Sequence, residues 1–142
     1  MTQFSMEKIL DWRLDLEDEA RMQLSRLEEK WQQENRQLQS LIQENTKVKN
    51  DYLKNVQIYT LRYNDYYKLV LDEKIVKQKN QMDRTQAEIK TAHEELIETH
   101  KNRKAMEKLK EKELDLLYQK EKWQEQNQLD EMATMNYRRK AL

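Results

Sequence analysis

The seven residues Lys54-Asn55-Val56-Gln57-Ile58-Tyr59-Thr60 decide how the chain is read. On either side, from about Met6 to Leu53 and from about Leu61 to the end, Leu, Glu, Gln, Lys, Arg, Met and Ala dominate, the residues that lose least on entering a helix. Between them Val56, Ile58 and Thr60 put β-branched side chains at alternate positions, and Asn55 tolerates left-handed backbone angles. The pattern predicts two long helices, about 6–54 and about 61–140, joined by a turn at about 55–60. Thr60 is placed to cap the second helix through its hydroxyl, although Tyr63 stands where a capping box has Glu or Gln.

Hydrophobic spacing says how the two helices meet. In the first, Leu24, Trp31, Leu38, Asn45 and Tyr52 recur every seven residues, with Leu27, Glu34, Leu41 and Val48 between them at steps of three and four, the signature of a coiled-coil seam. In the second, Ile75, Met82, Ile89, Leu96 and Arg103 alternate in the same way with Gln78, Thr85, Ala92, Thr99 and Met106. If the chain doubles back about residue 58, facing residue numbers add to about 116 and both series meet without a slip. Leu24 then faces Ala92, Leu27 faces Ile89, Trp31 faces Thr85 and Leu41 faces Ile75. The expectation is a single all-α coiled-coil domain over 1–142, an antiparallel two-helix hairpin.

Charge favours the same direction. Asp11 to Glu19 holds five acids and one Arg, whereas Lys101 to Lys112 holds six bases and two acids. Antiparallel folding brings the blocks together, and a parallel dimer stacks each on its own copy. The register leaves one defect, Arg13 opposite Arg103, which both side chains can relieve by laying their stems along the seam with their heads in water. It also pairs Met6 with Lys110, so about 32 residues of the second helix, on the order of 48 Å, extend past the first. That overhang carries Leu114, Leu116, Leu117, Tyr118, Trp123, Leu129, Met132 and Met135. It is either a frayed tail or a surface that a partner covers.

Composition agrees with a thin seam rather than a three-dimensional core. Among 142 residues there is no Gly, Pro or Cys, where ordinary usage gives about 17 Gly and Pro together. Hydrophobic residues make up 37%, below the roughly 45–50% of globular chains. Without Cys there is no disulfide, thiolate nucleophile or cysteine metal site, which suits a reducing cytosol. The 27 basic and 27 acidic residues cancel, which argues against nucleic acid as a partner. The acidic N-terminal stretch has no sustained apolar run, so neither a signal peptide nor membrane insertion is expected, and the protein should be soluble and intracellular.

Catalytic motifs are missing for physical reasons. Without Gly there is no phosphate-cradling loop and no nucleophile elbow, and no cofactor is expected. His93-Glu94-Glu95-Leu96-Ile97 begins like a zinc-protease helix but has Ile97 where the second His is required. His100 lies about 10.5 Å further along the helix, too far to share an ion, so both histidines are expected to be solvated. Carboxylates on an open two-helix surface have little cause for the pKa shifts of acid–base catalysis. Five of the seven tyrosines, Tyr52, Tyr59, Tyr63, Tyr66 and Tyr67, collect near the expected turn. They either close the hairpin end with large, stiff rings or anchor a protein partner.

Three groups of residues carry a resemblance. Phe4, Met6, Leu10, Arg13, Glu17 and Ala20 open the chain; Tyr63, Tyr66, Tyr67 and Val70 form a Tyr-x-x-aromatic-aliphatic run; Glu125, Leu129, Asp130, Glu131 and Ala133 precede Arg138 and Arg139. In this order the chain resembles the flagellar export protein FliJ family and, more distantly, its counterparts in virulence type III secretion. It departs where many relatives place Gly or Ser in the turn. The resemblance implies a stalk-like coiled coil, not itself an enzyme, that inserts into the ring of the export ATPase FliI. Its further partners would be the export gate FlhA and the export chaperones, at the cytoplasmic face of the inner membrane. The hairpin reading itself predicts a monomer when free. Under that resemblance Leu116, Leu117, Trp123, Leu129, Asp130, Glu131 and Met132 contact the ring, and Tyr52, Tyr63, Tyr66 and Val70 face the gate. The rival from another class is a spacer, a parallel coiled-coil dimer with no turn.

Overall fold

The structure is a computed structural model that describes the backbone of residues 5–54 and 58–141 and the side chains of residues 5–51 and 62–140. It is all-α: α1 spans Glu7–Lys54 and α2 spans Ile58–Ala141, paired antiparallel as a coiled-coil hairpin in which α2 outruns α1. Of the expected turn, residues 55–57 lie outside the described residues. Ile58, Tyr59 and Thr60 already belong to α2, so Thr60 sits within the first turn rather than capping it. β-branching lowers helix propensity by only tenths of a kcal/mol per residue, too little to delay a helix of this length.

The chain forms two compact units, Asp18–Ile97 and Met1–Glu17 with Glu98–Leu142. In Asp18–Ile97 the seam is the one the spacing predicts. Ala20, Leu27 and Leu38 of α1 and Leu71, Met82 and Ala92 of α2 are buried, while Leu24, Trp31, Leu41, Val48, Ile75 and Ile89 are half-buried. Facing side chains confirm the register: Lys30 and Glu88, 3.9 Å apart, have numbers totalling 118. Asn45 and Asp72, at 3.2 Å, total 117, and Gln37 and Gln78, at 3.3 Å, total 115.

A polar layer interrupts this strip. Glu34 and Thr85 are buried, Thr85 completely. The single Thr85 hydroxyl proton is shared between the two Glu34 carboxylate oxygens, both at 2.9 Å, and two turns along α2 Gln78 Nε2 donates to the Glu34 carbonyl at 2.7 Å. Each buried Leu of the seam contributes about 1.5–3 kcal/mol, so a carboxylate left without its donor is comparable to losing one of them.

In the unit Met1–Glu17 with Glu98–Leu142, Leu10 and Glu17 are buried against a half-buried row of α2 that includes Arg103, Met106, Lys110, Glu113 and Leu117. The start of α1 is tied to α2: the Ser5 N–H and hydroxyl both donate to the Glu113 carboxylate, at 3.4 and 3.1 Å, and Lys110 pairs with Glu7 at 3.2 Å. Pairing therefore reaches further along α2 than residue 110. From Tyr118 to Lys140 every side chain but Asn127 is exposed. The basic Arg138, Arg139 and Lys140 fall in the last turn of α2, where the helix dipole favours them.

Thr85→Val is expected to lower stability by about 1–3 kcal/mol, because it strands the Glu34 carboxylate. Combined with Glu34→Leu it should recover most of that loss. Thermal unfolding followed by circular dichroism checks both, and a neutral single variant contradicts the layer.

Candidate interaction surface

The densest electrostatic cluster surrounds Glu17, whose residue is 2% exposed. Arg103 Nε donates to Glu17 Oε2, and Arg103 NH1 donates to Glu107 at 2.5 Å. The Glu17 hydrogen bond, ahead of that from Glu107, holds the Arg103 guanidinium above its ordinary pKa and outweighs desolvation. His100 Nδ1 lies 2.9 Å from Glu17 Oε1 and 3.2 Å from Arg103 NH2, so the imidazole joins the same cluster.

Two expectations change here. Arg103 is not left stacked on Arg13, because its stem reaches one turn along to a carboxylate. The Arg13 guanidinium instead lies 4.9 Å from the centroid of the Trp12 ring, and its Nε is buried without a hydrogen-bond partner. His100 is not simply solvated but engaged with the buried Glu17, while His93 is exposed. The cluster ties α1 to α2. Among the described residues no group of three or more His, Cys, Asp or Glu is arranged to hold a metal ion, and no helix is long and apolar enough to cross a membrane.

Of the residues expected to face a gate, Tyr63 and Tyr66 are 67% and 69% exposed and Val70 is half-buried. The Tyr52 side chain lies outside the described residues. Tyr63 stacks on Tyr67, ring centroids 6.3 Å apart and 5° from parallel, and the Tyr67 hydroxyl donates to Glu44 of α1. That hydrogen bond is the largest reason the Tyr67 phenol titrates above its usual value, with desolvation and the Glu44 charge adding to it. The ring cluster thus serves the helix pair through Tyr67 while Tyr63 and Tyr66 remain available. Exposed Leu69 and Val76 extend this surface and line a shallow depression with Asp72, Glu73 and Lys77. The signal for them was present as a seven-residue spacing off the seam positions Leu71, Ile75 and Gln78.

Of the residues expected to contact a ring, Leu116, Trp123, Leu129 and Met132 are 60–66% exposed. Asp130 and Glu131 are exposed too, and Leu117 is half-buried. Gln126 Nε2 donates to Asp130 at 3.3 Å, and Lys122 Nζ stands 5.0 Å from the centroid of the Tyr118 ring. Leu109, Met135 and Tyr137 are further exposed apolar residues of this part of α2. The structure therefore leaves bare a helix rich in large apolar side chains, which water alone does not reward.

The model of the flagellar FliJ protein family matches residues 2–142. The chain belongs to the flagellar FliJ protein family. FliJ proteins are structural, stalk-type coiled coils associated with type III protein export. A solved structure described as a putative YscO homolog, CT670 from Chlamydia trachomatis, is similar in fold, with a TM-score of 0.75 at 22% identity over 97% of this chain and 96% of that one. No curated protein gives a significant sequence match.

Because a raised folded-state phenol pKa favours the protonated form, the Tyr67 contribution to stability is complete below pH 10 and is lost as pH rises through the folded value. Alkaline titration followed at the tyrosinate absorbance band should show one late-titrating tyrosine that Tyr67→Phe removes. A titration unchanged by that substitution contradicts the Glu44 contact.

Proposed function

We propose that this FliJ-family chain acts as the stalk of the export ATPase, inserting the exposed part of α2 into the FliI ring. The observation that carries this is the run of exposed Leu116, Trp123, Leu129 and Met132 on a helix that has left its α1 partner behind. A large ring such as Trp123 in water is the kind of residue that becomes an energetic anchor once a partner desolvates it. Asp130 and Glu131 lie among these apolar anchors and give polar contacts that orient the helix, and Leu117 marks where pairing with α1 gives way to the ring.

The same reading assigns Tyr63, Tyr66 and Val70, together with Tyr52, to the export gate FlhA, and extends that surface to Leu69 and Val76. Stiff aromatic rings lose little entropy on binding, which suits repeated engagement with a gate. Escort of export chaperones and residence at the cytoplasmic face of the inner membrane belong to the same proposal. The chain's part is mechanical: a helix pair held by ion pairs and a narrow seam transmits position, and the hydrolysis is the ring's.

Trp123→Ala with Met132→Ala should weaken binding to the purified ATPase by roughly thirtyfold or more, the scale of losing an interface anchor, while helicity by circular dichroism stays unchanged. Binding that is undiminished in calorimetry with full helicity refutes the docking surface.

A further inference from the structure

A second strip with coiled-coil spacing runs along α2 outside the seam. Leu109, Leu116, Trp123, Asp130 and Tyr137 recur every seven residues, and Ala105, Lys112, Gln119, Gln126 and Ala133 recur between them at steps of three and four. Every one of these side chains is exposed, and all belong to the unit Met1–Glu17 with Glu98–Leu142. Seven residues per two turns place the strip roughly 100° around the helix from the row Arg103, Met106, Lys110, Glu113 and Leu117. α1 covers that row and not this one.

The strip is complementary to itself when reversed about residue 121. Ala105 then meets Tyr137, Leu109 meets Ala133, Lys112 meets Asp130, Leu116 meets Gln126, and Gln119 meets Trp123. Each layer sets a small or slender side chain against a large one, or a cation against an anion. A twofold axis repeats every layer, so the charge pair occurs twice. In a parallel arrangement each residue meets its own copy: Lys112 faces Lys112, Asp130 faces Asp130, and alanine on alanine leaves a gap. Sliding the antiparallel pair by one heptad brings Asp130 onto Ala105 or Lys112 onto Tyr137 and loses the charge match. Direction and register are thus both specified, as a closed twofold interface requires.

We propose that a second copy of this chain docks on this strip, α2 against α2 in opposite directions about residue 121, so that the free protein is a dimer. The interface extends over about 50 Å of helix, from residue 105 to residue 137. This departs from the monomer that the hairpin by itself predicts. The proposal does not rest on the export reading. Leu116, Trp123 and Asp130 serve both surfaces, so a ring that takes up α2 must first separate the dimer.

The test is sedimentation equilibrium of the full chain from about 1 to 200 μM, with charge reversals that leave the seam untouched. The native chain should reach a dimer within that range. Lys112→Glu and Asp130→Lys should each weaken dimerisation roughly tenfold or more, because each puts two like-charge pairs where two opposite pairs stood, and the double reversal should restore native affinity. Helicity should be the same in all four proteins. A chain that stays monomeric throughout overturns the proposal, as does a dimer indifferent to the single reversals or a double reversal no tighter than either single one.

Discussion

Among the described residues, burial is confined to a narrow strip along each helix, and the other features follow from that constraint. A chain without Gly or Pro and with a thin apolar content cannot wrap a core around itself. It can only press one stripe of side chains, spaced by three and four residues, against another. Leu27, Leu38, Leu71, Met82 and Ala92 form that stripe in one unit, and Leu10 continues its spacing in the other. Because each layer holds so few apolar atoms, a polar residue admitted to it has large consequences. Glu34 with Thr85, and Glu17 with Arg103 and His100, are tolerable only where their partners stand opposite. Layers of this kind set register at some cost in stability.

The same constraint shapes what the described surface has to offer. The described two-helix surface carries many carboxylates and both imidazoles, spread along open helix faces. Its most perturbed groups, Arg103 and Tyr67, are engaged in holding α1 to α2. What the fold can offer is exposed side chains on a stiff support. The large apolar residues beyond Leu117, and Tyr63, Tyr66, Leu69 and Val76 in the other unit, are such groups, and they suit the stalk-type family to which the chain belongs.

Spacing made the seam legible in advance, since burial in a two-stranded coil depends on position alone. Leu24, Leu27, Trp31, Ile75, Met82 and Ile89 could be placed from the sequence, and the bare stretch of α2 followed from register arithmetic. What arithmetic misses is reach. It locates backbone positions and so sets Arg103 against Arg13, whereas a guanidinium on a long stem finds Glu17 a turn away; the spacing of His100 from His93 rules out a shared ion but says nothing of Glu17 on the facing helix. The Tyr67–Glu44 contact was hidden because aromatic clustering does not say which ring turns inward. The early start of α2 at Ile58 shows local propensity outweighed by the helix it joins. Leu69 and Val76 repeat on a face outside the seam, so seam spacing does not single them out.

The central claim is that α1 and α2 of one molecule zip together antiparallel, and a chain without native cysteine permits a direct test. Cysteines placed at Leu24 and Ala92 should form a disulfide within a single chain. Oxidation of an equal mixture of isotopically light and heavy protein, followed by mass spectrometry of the linked peptides, should give light–light and heavy–heavy products only. Mixed light–heavy products in statistical proportion would show that the helices pair between molecules, and the account of this fold would fail.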